Sequence, residues 1–242
     1  MEAQYKIIDI IQKTQAGIDP DCTKRIQFVH IGGGVYEAFI KESKQKNRYQ
    51  NMDNLNVMLD LETMGIKDNS AIVAIGAVCF DLPTGGILDS FYRQVSLEDA
   101  VKYGEMDAST VLWWLGQSDE ARKQLTQGDR VPLKDALRDF SDWFNSLGNT
   151  ENATVWGNGV NFDNAILKKA YEAVGLGVPW KFWNDRDVRT IVDLGVKLTG
   201  TNLKETIPFV GERHNALADA THQAKYVSAI YRSLQHLNGE SI

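Results

Sequence analysis

Asp60 and Glu62 are carboxylates with one residue between them, in a largely apolar run, NVMLDLETMG at positions 56–65. The alternation of apolar residues predicts a buried strand. Residues i and i+2 of a strand point to the same side about 6.6 Å apart, so both carboxylates would face one spot. Two anions so close are unfavourable without a cation. Because no Cys or His lies in this run, the pair predicts a site for Mg²⁺ or Mn²⁺. The alternative is a solvent-facing pair on an edge strand.

Two later stretches supply further candidates. Asp163 lies in NGVNFDNAIL at positions 158–167, and His214 and Asp219 lie in HNALADA at positions 214–220. The order Asp-x-Glu-Thr, then Asn-x3-Phe-Asp, then His-x4-Asp resembles the DEDD 3′–5′ exonucleases of the RNase H-like superfamily, in the subtype with a catalytic histidine (DEDDh). We therefore treat the three stretches as one site.

This resemblance implies a fold and an activity. The fold would be an RNase H-like three-layer α/β arrangement, with a mixed central sheet flanked by helices. The activity would be hydrolysis of phosphodiester bonds from the 3′ end of single-stranded nucleic acid, with DNA favoured and nucleoside 5′-monophosphates released. Two divalent cations, Mg²⁺ or Mn²⁺, would serve as cofactors.

The resemblance also assigns roles to residues. Asp60, Glu62, Asp163 and Asp219 would be the metal ligands, and His214 would be the general base. Histidine suits that role because imidazole ordinarily titrates near neutral pH.

Contacts with the terminal nucleotide are expected from Thr63 and Met64, again by resemblance. Asn158 is a further candidate, although the glycine- and asparagine-rich loop at 157–161 leaves its role open. Trp113 and Trp114 are adjacent on a predicted helix, where neighbouring side chains lie about 100° apart. One indole would then be partly exposed and could stack on a base. The alternative is that both pack in the core.

The stretch KFWNDRDVRT at positions 181–190 narrows the resemblance. Together with the tryptophan pair it looks like the phage exonucleases of the DexA type and the RNase T-like bacterial exoribonucleases. Arg186 or Arg189 could hold a phosphate there, or could instead pair with Asp187 or Asp193. An RNase T-like exoribonuclease is therefore the alternative function. A non-catalytic nucleic-acid-binding protein and a nucleotide hydrolase are two others.

Apolar patterns predict the elements that position these residues. Strands are expected at 72–80, 87–95 and 153–156, and helices at 132–147, 163–174 and 217–234. Asn215 is a reasonable cap for the last helix. His214 and Asp219 could not share a face if both were helical, so His214 is placed on the preceding loop.

Composition bounds the remaining possibilities. The 242 residues are 43% apolar and carry a formal net charge of −6, which argues against broad nonspecific binding of duplexes. Two cysteines are too few for a disulfide framework. The chain has no run of eighteen apolar residues and no signal-peptide pattern at its start, so we expect a cytoplasmic protein that does not enter a membrane.

Residues 1–53 stand apart as an extension and linker, with a short helix near 4–15 and two short strands around positions 32–34. The exonuclease domain would cover 54–237, followed by a tail at 238–242. The expected partners are single-stranded 3′ ends, and a homodimer is left open.

Overall fold

The computed structural model describes residues 24–32, 35–42 and 55–239. The chain divides into two units, Met1–Lys46 and Asn47–Ile242. In the first, β1 (Lys24–Gly32) and β2 (Val35–Glu42) form an antiparallel hairpin, so the two strands predicted there are confirmed. The helix predicted at 4–15 lies outside the described residues, as does most of the linker. The boundary at residue 53 and the tail remain predictions.

Six strands form the sheet of the second unit, in the order β6-β5-β4-β3-β7-β8. They are β3 (Asn56–Thr63), β4 (Ile72–Phe80), β5 (Ile87–Val95), β6 (Arg130–Val131), β7 (Thr154–Gly157) and β8 (Asp185–Asp187). Strand β3 pairs antiparallel with β4 and parallel with β7. The predicted mixed sheet with the acid-bearing strand inside it is therefore confirmed.

Eight helices are described in this unit. They are α1 (Leu97–Ala100), α2 (Ala108–Leu115), α3 (Asp119–Thr126), α4 (Leu133–Ser146), α5 (Asp163–Ala173), α6 (Val188–Thr199), α7 (Leu203–Thr206) and α8 (Ala216–Gly239). The helices predicted at 132–147, 163–174 and 217–234 correspond to α4, α5 and α8. None of the helices in the described part of the chain is both long and apolar enough to cross a membrane.

The alternation along β3 explains why the acids face one layer. Val57, Leu59 and Leu61 belong to the core cluster that contains the buried face of α4. Met58 belongs to the opposite cluster, which contains residues of α8. Asp60 and Glu62 follow Met58 at intervals of two, so they share its side of the sheet, the side covered by α8.

One glycine lets α8 approach the sheet closely. Gly76 of β4 is the register partner of Asp60, and a Cβ atom there would overlap the backbone of Ala216 and Leu217 at the start of α8. Without a side chain at this position, the first turn of α8 packs directly on the strand beside Asp60. This close packing places Asp219 near the two acids of β3.

Strand β8 was absent from the sequence prediction. Its three residues are two aspartates and an arginine, which carry no apolar alternation. The strand forms because its backbone pairs with β7 at the edge of the sheet, from Val155 with Asp185 to Gly157 with Asp187. Backbone pairing of this kind leaves no side-chain pattern to detect.

Candidate active site

Asp60, Glu62 and Asp219 meet on the α8 side of the sheet. One carboxylate oxygen from each lies within 4.8 Å of the other two. Two of the acids come from β3 and the third from the first turn of α8. The structure therefore brings together three of the four carboxylates that the sequence assigned to a metal.

Asp163, the fourth carboxylate, lies beside this set and is held by backbone groups. Its Oδ1 accepts a hydrogen bond of 3.1 Å from the Leu61 amide. The amides of Asn158 and of Asp163 itself also donate to its carboxylate. As the first residue of α5, it also gains from the helix dipole, which favours a negative charge there.

The metal-free acids resist ionising together. Burial raises the pKa of Asp60 well above its usual range, and the charges of Asp163, Glu62 and Asp219 raise it further. Burial raises the pKa of Glu62 to about 8 and that of Asp163 to about 7. Burial also raises the pKa of Asp219, against the opposing effect of the His214 amide. A bound cation would remove this repulsion.

The donor set fits a hard divalent cation. All candidate ligands are carboxylate oxygens, which Mg²⁺ and Mn²⁺ prefer. Asp219 Oδ2 is buried without a hydrogen-bond partner among the described residues. A buried carboxylate oxygen in that state is costly, and a metal ion would satisfy it.

His214 lies on the loop before α8, as predicted. Its backbone is in the left-handed region, with φ at 63°, and its amide donates to the Asp219 carboxylate. The Asn215 side chain accepts from the Ala218 amide at 3.0 Å, which confirms the predicted cap. The His214 ring packs edge-on against Trp113, with ring centroids 4.8 Å apart.

The two tryptophans of α2 have different environments. Trp114 is 2% exposed and donates from its indole to the Thr63 carbonyl at 3.0 Å. Trp113 is 45% exposed. The prediction that one indole is partly exposed is confirmed, and contact with a base is left to Trp113, since Trp114 is buried in the core.

A cavity of about 490 Å³ opens next to the acids. Its lining includes Glu62, Thr63, Thr110, Trp113 and Phe162. Pockets of a few hundred cubic ångströms suit small organic ligands.

Met64 does not take part in this lining. Its side chain is 4% exposed, its amide donates to Ala71 and its carbonyl accepts from Asp107. Of the two residues expected to hold the terminal nucleotide, the structure therefore brings only Thr63 to the cavity.

The two arginines of the 181–190 stretch make different contacts. Arg186 donates to the carbonyls of Trp183 and Asp185, not to the side chain of either predicted ion-pair partner. Arg189 is exposed and packs against Gly159, close enough to lower the pKa of Asp163. It forms no ion pair within the described ranges. Arg189 is thus the better placed of the two to meet a phosphate.

Gln223 is a site residue that the sequence analysis missed. It is 5% exposed, and its amide donates to Asp60 Oδ1 at 2.7 Å. The available signal was its spacing, because Gln223 follows Asp219 by four residues and therefore shares its helical face. A polar residue at that spacing, within an apolar stripe, indicates a partner for the acids.

The chain also resembles known nucleases. The family model for the 3′-5′ exoribonuclease Rv2179c-like domain matches residues 55–231. An exodeoxyribonuclease of Enterobacteria phage T4 is 29% identical over 159 residues, which cover 56% of this chain and 70% of that relative.

Solved structures show the same fold. Cell-death related nuclease 4 matches with a TM-score of 0.57 at 16% identity, over 74% of this chain and 64% of its own, so this chain spans less than two thirds of it. The nuclease domain of 3′hExo, a DEDDh family member bound to rAMP, matches with a TM-score of 0.53 at 14% identity, over 74% of this chain and 92% of its own. The predicted RNase H-like fold and exonuclease resemblance are confirmed. The chain belongs to the 3′-5′ exoribonuclease Rv2179c-like domain family and is a 3′–5′ exonuclease, a hydrolase of phosphodiester bonds.

Proposed function

We propose that this protein removes nucleotides one at a time from the 3′ end of single-stranded DNA and releases nucleoside 5′-monophosphates. The principal support is the position of the acid cluster beside the cavity, since Glu62 belongs to both. A terminal nucleotide in the cavity would place its phosphate against the carboxylates. A cavity for one nucleotide suits cleavage at a chain end.

Asp60, Glu62, Asp163 and Asp219 would hold two divalent cations, Mg²⁺ or Mn²⁺. Such ions supply positive charge that stabilises the phosphate in the transition state and promotes ionisation of water at neutral pH. The chain's own contribution is to fix the ligands, through the backbone amides on Asp163 and the Gln223 amide on Asp60.

His214 would accept a proton from the attacking water. The water oxygen forms a bond to phosphorus as the bond from phosphorus to the 3′-oxygen breaks. That oxygen takes up a proton and leaves with the shortened strand, and the phosphate stays on the released nucleotide. Trp113 packs against the imidazole on one side, which would restrict its orientation.

Thr63 and Trp113 would contact the terminal nucleotide, the second by stacking on its base. Arg189, exposed next to Asp163, would contact a phosphate. Asn158 lines a separate cavity that Asp219 also borders.

RNA is the second candidate substrate. The T4 relative is described as an exodeoxyribonuclease, which favours DNA, whereas the matching family model is described as an exoribonuclease domain, which favours RNA. A 2′-hydroxyl is the group by which a protein distinguishes the two.

Matched DNA and RNA oligonucleotides test the proposal. Each is incubated with Mn²⁺ or Mg²⁺ and the wild-type protein, with Asp60→Asn as the inactive control. We expect shortening of DNA from its 3′ end with release of mononucleotides, at a higher kcat/KM than for RNA. Faster cleavage of RNA would reverse the substrate preference. Hydrolysis of free nucleotides alone, with intact oligonucleotides, would overturn the proposal.

A further inference from the structure

A second cavity, of about 520 Å³, also borders the acid cluster. Asp219 lines it, whereas Glu62 lines the first cavity. Since these two carboxylates meet in one cluster, both cavities border the same acids. A strand with its last nucleotide in the first cavity and its scissile phosphate at the acids could continue into the second.

Two buried polar groups that line the second cavity lack a hydrogen-bond partner in the described part of the chain. Tyr226 is 1% exposed and Gln223 is 5% exposed, and both line the cavity. The Tyr226 hydroxyl and Gln223 Oε1 form no hydrogen bond with any described residue. A buried hydroxyl in this state costs free energy that a ligand would recover. The unpaired phenol is therefore a donor available to a ligand.

The lining of this cavity also carries positive charge. Lys204 and Arg213 are exposed residues of its lining, and neither forms an ion pair within 4.0 Å among the described residues. Burial and the charges of Arg213, Lys225 and Lys204 lower the pKa of His222, which also lines the cavity. Glu205 is the acidic lining residue on α7, and it accepts a hydrogen bond from the Asn202 side chain.

Apolar surface accompanies these charges. Phe209, Ile207 and Pro208 contribute to the lining, and the Arg213 guanidinium lies 5.0 Å from the centroid of the Phe209 ring. Cations next to an aromatic ring suit a ligand that combines a phosphate with a base.

We propose that the second cavity binds the penultimate nucleotide of the strand. Arg213 and Lys204 contact the phosphate on its 5′ side, the Tyr226 hydroxyl donates to that phosphate, and Phe209 meets the base. This inference rests on the proposed function, and it sets a minimal substrate of two nucleotides that carry a 5′ phosphate.

An oligonucleotide with one neutral linkage tests this contact. A methylphosphonate is placed at the second linkage from the 3′ end, so that the scissile phosphate stays charged, and first-turnover release of the terminal nucleotide is measured. The wild-type kcat/KM should fall about tenfold, as expected for loss of one charge-assisted hydrogen bond. The same change at the sixth linkage should have no effect.

Variants then assign the contact to the cavity. Arg213→Gln should lower kcat/KM about tenfold on the unmodified strand. It should then cleave the unmodified strand and the strand with the neutral second linkage at the same rate. Lys181→Gln, the same charge change outside the cavity, should behave as wild type. Tyr226→Phe should also lose activity while its melting temperature holds or rises, because the hydroxyl it loses has no partner in the free protein.

The outcomes separate this inference from the proposed function. If the wild-type enzyme is active and its kcat/KM is the same with a charged or a neutral second linkage, the inference alone is overturned. The inference would also be overturned if Arg213→Gln showed the same tenfold preference for the charged second linkage as the wild type. A wild-type protein that leaves all oligonucleotides intact overturns the proposed function and this inference together.

Discussion

Gln223 is the residue through which α8 acts on Asp60. Its amide donates to Asp60 Oδ1 at 2.7 Å, which fixes one ligand oxygen before a metal arrives. Residues that orient a metal ligand typically contribute 10- to 100-fold to metal affinity or activity. Replacing the amide with an apolar group takes a donor from Asp60 Oδ1 but also removes Gln223 Oε1, which has no partner among the described residues, so the net cost should be about 1 kcal/mol.

We therefore predict that Gln223→Leu lowers kcat, or the affinity for Mn²⁺, by about 10- to 100-fold while the melting temperature falls by only about 2–4 °C. Activity on a DNA oligonucleotide and Mn²⁺ titration calorimetry measure the two effects. Gln235→Leu, on the exposed part of α8, is the matched control. Wild-type activity and Mn²⁺ affinity in Gln223→Leu would mean that Asp60 needs no such support.

The backbone of His214 makes a sharper test of the general base possible. With φ at 63°, the position favours glycine and asparagine over most other residues. His214→Asn should therefore keep the loop in place but lose the proton acceptor. We expect kcat to fall about 10²- to 10⁴-fold, with Mn²⁺ affinity unchanged by calorimetry. Weaker Mn²⁺ binding in His214→Asn would make His214 a metal ligand.

Among the elements, helix α8 carries the largest share of the site. It supplies Asp219 and Gln223, and the loop before it supplies His214. Its position depends on Gly76 of β4, where a Cβ atom would overlap the backbone of Ala216 and Leu217. Direct packing of helix backbone on strand backbone thus sets the distance between Asp219 and Asp60.

Gly76→Ala should push the start of α8 away from the sheet. Overpacking of this kind costs about 1–3 kcal/mol of unfolding free energy, or about 2–4 °C in melting temperature per kcal/mol. Because a misplacement of about 1 Å can cost 10²-fold in rate, kcat/KM should fall more than about tenfold. Gly177→Ala, where an added Cβ meets nothing within 4 Å, is the control. Full activity in Gly76→Ala would show that the close approach is dispensable.

Sequence patterns identified the elements of this site better than its contacts. Asp60 and Glu62 could be placed on one face because strand periodicity is strict, and His214 could be placed on a loop from helical geometry. The bond from Gln223 to Asp60 joins residues 163 positions apart, and β8 forms by backbone pairing. The spacing from Asp219 indicates only that Gln223 faces the acids, and backbone pairing leaves no side-chain pattern, so only the folded chain shows these two contacts.

For the whole molecule, the acid cluster sets how stability depends on pH. Burial raises the pKa of Glu62 from 4.5 to about 8 and that of Asp163 from 3.8 to about 7 in the metal-free protein. Between pH 4.5 and 8 the folded chain thus binds more protons at these residues than the unfolded chain does. Stability rises with pH only where the unfolded state binds more protons, so here it falls as pH rises.

We therefore predict that the metal-free protein melts at a lower temperature at pH 8.5 than at pH 5.5. Each unit of pKa shift is worth about 1.4 kcal/mol, and a loss on the order of 2 kcal/mol would lower the melting temperature by about 5 °C. Glu62→Gln should weaken this dependence and melt at a higher temperature than the wild type at pH 8.5. Glu151 is an exposed acid, so Glu151→Gln should have neither effect.

Mn²⁺ should stabilise the wild type more at pH 8.5 than at pH 5.5, because it binds ionised carboxylates. A metal-free melting temperature that rises between these pH values, or an equal dependence in Glu62→Gln, would show that the buried acids do not control stability.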